Sequence, residues 1–290
     1  MGLFAESWNV AWRKRPELSI LSDEQQVFSV IPNSLRYWAA DPFLFEYAGN
    51  TYIFAELYDY VKRHGIIGYY KLGEKGERWH PIIEESYHLS YPCIFEAQGK
   101  IYIMPEANES GSLYLYECVR FPEQWKKQKV LKEDVKYVDT TFFNQSRGYA
   151  LTYDIADVHN PKLVLLDVTG AGQDSEIDID AIDCRRPAGK AYEVQRIRPA
   201  QNCREGYGKS LLFYQYELDE SGWYQERQIA SIQPEALKFD RKIFLDGMHT
   251  YNSTSQYEVI DIKTKRINLI NLFFRTYGKI ERIFGISGKK

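Results

Sequence analysis

Apolar and polar positions along this chain alternate with a short period, and the alternation itself recurs with a long one. From Ala40 to Glu56 a polar residue and a proline lead into apolar-rich positions, a glycine turn and an alternating segment ending in glutamate. Ser90 to Glu106 repeats that order fifty positions later without a gap, matching Pro42/Pro92, Phe45/Phe95, Glu46/Glu96, Gly49/Gly99, Tyr52/Tyr102, Ile53/Ile103 and Glu56/Glu106. Alternation at a period of two is the pattern of a half-buried strand. A fixed repeat of about 50 residues marks a supersecondary unit that cannot bury its apolar face alone, as in a propeller blade or solenoid turn.

Within the first repeat, Phe43-Leu44-Phe45 and Tyr52-Ile53-Phe54 are predicted strands joined by a loop over Glu46–Asn50, followed by strands at Gly68–Leu72 and around Trp79 to Ile83. The second repeat continues through Leu113–Tyr116 and Val130-Leu131. Weaker copies begin at Val138, Arg196 and Asp246, the last one strand short. Trp8–Arg13 alternates as a strand and is expected to complete that last unit, which removes exposed sheet edges. The predicted fold is therefore all-β, a five-bladed β-propeller over residues 1–262 with the ring closed by an N-terminal strand. The acidic stretch Asp174 to Asp183 is expected to be a surface loop or short helix. Residues 263–290 hold eight basic side chains against one acid, with apolar residues at helical spacing, and predict a basic amphipathic C-terminal helical tail. Such a helix packs on its own domain or rests on an anionic membrane surface.

Composition agrees with a strand-rich chain: 23 Tyr, 15 Phe and 6 Trp among 290 residues favour pleated surfaces. The net charge of −3 offers no field for nucleic acid, which is excluded as a partner. The four cysteines match no metal or redox spacing, and no cofactor or metal is predicted. Glu6 interrupts any secretory core near the first residue, so a cytoplasmic protein, peripheral to the membrane through its tail, is expected.

In a propeller the innermost strands converge on one channel mouth. Their heads place Asp41, His88 and Tyr91, Asp139, Arg198 with Gln201, and His249 there, and Glu56 and Glu106 close the second strands of the first two units. Two carboxyl groups facing one pocket are the minimum for cleaving or forming a glycosidic bond, one protonating the leaving oxygen and the other activating water or attacking the anomeric carbon. Asp41, Glu106 and Asp139 are the candidate catalytic set; Glu56, His88, Tyr91, Arg198, Gln201 and His249 are candidate substrate-binding residues. Trp38, Tyr37, Tyr58 and Tyr91 offer faces for sugar stacking. The alternative role of both glutamates is to fasten neighbouring blades by accepting backbone N–H or arginine hydrogen bonds.

ADPFLF at Ala40, HLSYP at His88 with its later IMPE, FPEQW at Phe121, VDTTFF at Val138, RPAQNC at Arg198 and DGMHTYN at Asp246 resemble the N-terminal domain of plant glucosamine inositolphosphorylceramide transferases and related bacterial proteins. The resemblance runs from about Trp8 to Ile262. That domain in turn resembles the five-bladed propellers of arabinanases, xylosidases, invertases and levansucrases. The resemblance implies an Asp at the head of blade one acting as base or nucleophile, the place held by Asp41. Those enzymes carry a further acid at the head of blade two, where this chain has Ser90-Tyr91-Pro92. In the plant proteins the transferase domain is a separate segment, so sugar handling is implied more firmly than transfer. The expected function is action on a glycosidic bond, by transfer or hydrolysis, in glycan, polysaccharide or glycolipid biosynthesis. The alternative is a non-catalytic sugar-binding propeller or an accessory subunit of a glycosyltransferase complex.

Overall fold

Two-residue turns, Ala48-Gly49 and Gln98-Gly99, close the first hairpins of the two clear repeats, with φ of 48° and 73° in one and 51° and 72° in the other. Left-handed geometry at both turn positions matches the twist of the flanking strands, which makes the connection shorter than the five-residue loop expected from the sequence. The computed structural model describes residues 4–22, 27–76, 78–144, 148–169, 173–219 and 223–267. Among them the regular elements are strands and four short 3-10 turns, arranged as five sheets around a ring.

Blade one is Tyr37–Tyr47, Asn50–Asp59, His64–Lys71 and His80–Ile83, each antiparallel to the last. Blade two is Ser90–Ala97, Lys100–Glu106, Ser112–Arg120 and Gln124–Glu133. Blade three is Tyr137–Asn144, Tyr149–Asp154, Lys162–Asp167 and Ser175–Ile177, so part of the acidic stretch expected to be a surface loop or short helix forms its outer strand. Blade four stops at three strands, Ile197–Asn202, Ser210–Leu218 and Tyr224–Ile232.

Blade five is assembled from both ends of the sequence. Phe4–Lys14 pairs over its whole length with Tyr257–Ile267, and Val27–Val30 adds outside it. The N-terminal region thus supplies two strands rather than the single one expected, and the strand Tyr257–Ile267 carries the propeller past residue 262. Residues 268–290, which hold most of the basic tail, lie outside the described residues. Among the described residues no helix is long and apolar enough to cross a membrane.

Aromatic pairs weld four of the five blade junctions. Phe43 meets Tyr91 edge-on at 4.9 Å, Phe95 stacks on Phe142 at 4.2 Å, Phe143 leans on Tyr216 at 4.3 Å, and Phe213 meets Tyr251 at 5.4 Å. Each contact contributes about 0.5–1.5 kcal/mol beyond the apolar area it removes from water. At the junction of blades five and one, Val10, Ile31, Leu44, Ile53 and Val259 share a cluster against which Trp12, Tyr37 and Tyr257 pack.

The connector between blades three and four lies against the innermost strands of the others. Gly189 N–H donates to the Tyr91 hydroxyl at 2.6 Å, Thr141 Oγ1 donates to Gly189 O at 3.2 Å, Gln201 N–H donates to Arg186 O at 2.8 Å, and Tyr251 N–H donates to Ala188 O at 2.7 Å. These bonds reach blades two, three, four and five, so residues 186–189 fill the axis of the ring. Gly189 sits at φ 127°, and a Cβ there would lie 2.0 Å from Tyr251 O. Gly189→Ala is therefore expected to destabilise the protein by at least about 3 kcal/mol, measured by urea unfolding. A midpoint matching wild type would show that the connector does not hold the blades.

Candidate functional site

Blades one, two and three share a local distortion at the same place. Strand pairing breaks between Ala40 and Phe43, Ser90 and Cys93, and Val138 and Thr141, and the residue in each break has a positive φ: Asp41 51°, Tyr91 45°, Asp139 50°. A non-glycine residue in that region costs about 1–3 kcal/mol unless its surroundings hold it. Here a carboxylate catches the freed N–H each time. Asp261 Oδ2 accepts from Asp41 N at 3.0 Å, Asp41 Oδ2 from Tyr91 N at 3.3 Å, and Glu106 Oε2 from Asp139 N at 3.2 Å. Each acceptor belongs to the blade before the one it holds.

The bulges turn Asp41 and Asp139 toward a cup of about 230 Å³ at the channel mouth. Glu56, Glu106, His88, His249 and Arg186 share its lining, and Trp8, Trp38, Tyr58 and Tyr207 form its aromatic part. Trp38 stacks on Tyr58 at 4.9 Å, and Trp8 lies over the His249 imidazole at 3.9 Å. A larger hollow of about 1060 Å³ between blades two and three is lined by Phe95, Met104, Leu115 and Phe142 and brings no set of carboxyl groups together.

Burial dominates the electrostatics of the cup. It lifts the Asp41 carboxyl to about 6, with nearby His249 opposing the rise and Asp139 and Asp261 adding to it. Burial, reinforced by Asp139, lifts Glu106 to about 8. Glu56 is pushed well above the carboxylate range by burial and by the neighbouring charges of Asp41 and Glu106. One of its oxygens, Oε1, has no hydrogen-bond partner and lies 3.4 Å from His88 Nε2. His88 is lowered by burial, and its Nδ1 accepts Gly65 N–H at 2.9 Å. Burial works against a charged His249, yet Asp261, 2.6 Å from Nδ1, and Asp41 hold its pKa above the usual value.

Among the described residues, Asp41, His249 and Asp261 are the one grouping whose ligand-type atoms lie within 4.8 Å of one another. Asp261 is already engaged: Oδ1 accepts the N–H groups of His249 and Thr250 at 2.9 Å, and Oδ2 accepts Asp41 N and faces the imidazole. Thr250 Oγ1 donates to Asp41 Oδ1 at 2.9 Å. This donor set describes a hydrogen-bond hub rather than open coordination positions.

Six of the nine residues expected at the mouth line the cup: Asp41, Glu56, His88, Glu106, Asp139 and His249. Three are placed elsewhere. Tyr91 is fully buried and runs past the mouth to Thr141 and Gly189. Arg198 is locked into blade four, where Glu226 receives it at 2.6 and 2.7 Å with Tyr224 and Arg185 O around it. Gln201 is also fully buried and donates to Asp139 Oδ2 at 2.8 Å and to Pro187 O, so it positions Asp139 from behind. Of the expected stacking residues, Trp38 and Tyr58 reach the cup, while Tyr37 lies beside Arg36. Sequence reasoning missed Arg186, Trp8 and Tyr207. Arg186 Nε donates to Asp139 Oδ2, and its guanidinium lies 5.1 Å from the Tyr207 ring. Its connector has no periodicity to expose it; the pair Arg185-Arg186 before Pro187 was the available signal.

A family model described as the N-terminal part of glucosamine inositolphosphorylceramide transferase 1 matches residues 26–252. Glucosamine inositolphosphorylceramide transferase 1 of Arabidopsis thaliana is 30% identical over 251 residues, covering 77% of this chain and 30% of that protein. Its counterpart from Oryza sativa subsp. indica is 35% identical over 205 residues, covering 65% and 27%. The chain thus spans less than a third of the length of these curated relatives. Among solved structures, a GH43 beta-xylosidase/alpha-arabinofuranosidase from a compost microbial metagenome, in complex with xylotriose, has a TM-score of 0.52 at 10% identity, covering 88% of this chain and 94% of that one. The catalytic domain of a GH62 alpha-L-arabinofuranosidase from Coprinopsis cinerea gives 0.48 at 8% identity, covering 89% and 97%. At these identities the likeness is one of fold.

The raised carboxyls set a sign for stability. A carboxyl that holds its proton to higher pH when folded binds more protons than the unfolded chain between the two pKa values, so stability falls as pH rises across that window. For Glu106 the window runs from the ordinary glutamate range to about 8. The unfolding free energy from urea titration is expected to fall between pH 5 and pH 8 and to fall less in Glu106→Gln, the difference amounting to about 2–4 kcal/mol, with the urea midpoints following the free energy. Parallel midpoints in wild type and variant at pH 5, 6.5 and 8 would show that Glu106 is ionised throughout.

Proposed function

This chain belongs to the family of the N-terminal domain of glucosamine inositolphosphorylceramide transferase 1, and from that premise we propose that it is a carbohydrate-active enzyme whose channel-mouth cup acts on a glycosidic bond. The observation that carries the reading is the division between two carboxyls in one small cavity. Asp41, raised only to about 6, is mostly ionised at neutral pH and serves as base or nucleophile. Glu106, raised to about 8, keeps its proton there and serves as acid toward the leaving oxygen.

The remaining groups fit around that pair. Asp139 is held by Arg186 and Gln201, so its charge is fixed in place beside Glu106. Trp8, Trp38, Tyr58 and Tyr207 give the cup apolar faces on which a pyranose ring can stack, while the carboxyls and histidines meet its hydroxyls. The cup is closed behind by the connector, which suits the end of a glycan rather than a chain passing through. The curated relatives are named glucosamine inositolphosphorylceramide transferase 1, which favours a role in glycan or glycolipid assembly. The basic tail would hold the protein beside a membrane surface carrying such substrates, on the cytoplasmic side.

A second reading, a sugar-binding propeller without catalysis, draws support from two observations. Blade two offers the buried Tyr91 where a further acid would stand, and both oxygens of Glu106 already accept hydrogen bonds, from Asn108 Nδ2 at 2.9 Å and Asp139 N. Turnover decides between the two. With a panel of aryl glycosides, Asp41→Asn is expected to lower the rate about 10²- to 10⁴-fold. The same change should cost about 1–3 kcal/mol of stability, since the amide meets Tyr91 N–H less well than a carboxylate does. Glycan-array binding by wild type with no turnover of any glycoside would replace the catalytic reading with the binding one.

A further inference from the structure

Arg186 is held at one nitrogen and open at the other two. Its Nε is spent on Asp139 Oδ2, while neither terminal nitrogen donates to any described residue. The side chain is 20% exposed, lines the cup, and lies against the face of Tyr207. Every other arginine near the axis is used up: Arg198 by Glu226, and Arg185 by Glu226 and Asp180 O. A guanidinium fixed along one edge presents the other edge as two parallel donors at the spacing of a carboxylate or phosphate.

We infer that the free edge of Arg186 is an oxyanion subsite, and that the ligand of the cup is an acidic sugar whose carboxylate or phosphate group it binds. This rests on the reading of the cup as a sugar site and deepens it. The acids around the subsite do not oppose it as their number suggests. Asp139 is paired with Arg186 itself, Asp41 faces the His249 imidazole, and Glu106, lifted by burial to about 8, holds its proton at neutral pH and is a donor to an anionic oxygen. The Tyr207 ring keeps the guanidinium from swinging away when no anion is present. Arg186 thereby supplies the arginine at the mouth, where the sequence pattern had placed Arg198 as a candidate substrate-binding residue.

Titration calorimetry at low salt with glucose, glucuronate, glucose 1-phosphate and inorganic phosphate tests this. The acidic sugars are expected to bind wild type at least tenfold more tightly than glucose. Arg186→Lys, which keeps the charge and loses the fork, should reduce that preference, read as the ratio of acidic-sugar to glucose affinity within the same variant, to less than about threefold. Preference for glucuronate identifies a carboxylate source, and preference for glucose 1-phosphate a phosphate source. Equal binding of all three sugars overturns the subsite and leaves the sugar site standing. Inorganic phosphate binding as tightly as glucose 1-phosphate, with glucose not bound, overturns the sugar site and retains the anion site. Binding of none of the four overturns both. If Arg186→Lys does not fold, Tyr207→Leu leaves the Asp139 pair intact and should weaken the acidic preference severalfold; an unchanged preference in it overturns the inference.

Discussion

A carboxylate on one blade holding the strained backbone N–H of the next is the interaction on which this ring turns. Asp261 holds Asp41, Asp41 holds Tyr91, and Glu106 holds Asp139. Without these acceptors three left-handed, non-glycine residues would relax toward extended backbone, and Asp41 and Asp139 would no longer face the axis. The same acids are thus mortar and chemistry at once. For Asp41 and Glu106 the burial that lets them hold a neighbour also raises their proton affinity, so structural placement and functional tuning have a common origin.

The connector completes what the carboxylates begin. Blades of a propeller touch only their neighbours, so nothing in the repeat itself ties blade two to blade five. Residues 186–189 do so through backbone groups, at a position where a side chain on residue 189 would collide with Tyr251. They also deliver Arg186 to the back of the cup, beside Asp139. Structural support and the one arginine of the site therefore come from a single short segment.

How much of this was legible in the sequence depends on periodicity. The register of Ala40–Glu56 against Ser90–Glu106 exposed the blades, and with them Glu56 and Glu106, because these equivalent positions face the same way, while Asp41 was legible as the head of an innermost strand. The two-strand contribution from the N-terminal region was half visible: Trp8–Arg13 alternates clearly, whereas Val27–Val30 is too short to stand out. Arg198 and Gln201 were both assigned to the mouth, although they are an odd number of positions apart in a strand that pairs without interruption from Ile197 to Asn202. Side chains so placed emerge on opposite faces, and only the bulges of the first three blades break that rule. Arg186 lay beyond reach for a different reason: the connector that carries it is placed by bonds to blades two and five, distant in the sequence, as well as to the flanking blades three and four.

The pairing of Phe4–Lys14 with Tyr257–Ile267 has a bearing on how the molecule comes into being. Its partners are more than two hundred residues apart, so the last seam is the least local contact in the chain, and the entropy of bringing them together must be met before any of its hydrogen bonds form. On a ribosome the first four blades emerge while Phe4–Lys14, paired on one side with Val27–Val30, still lacks its long partner on the other. Until Tyr257–Ile267 has been made the seam cannot close, and the nascent chain carries a raw edge that a chaperone or a second copy can seize.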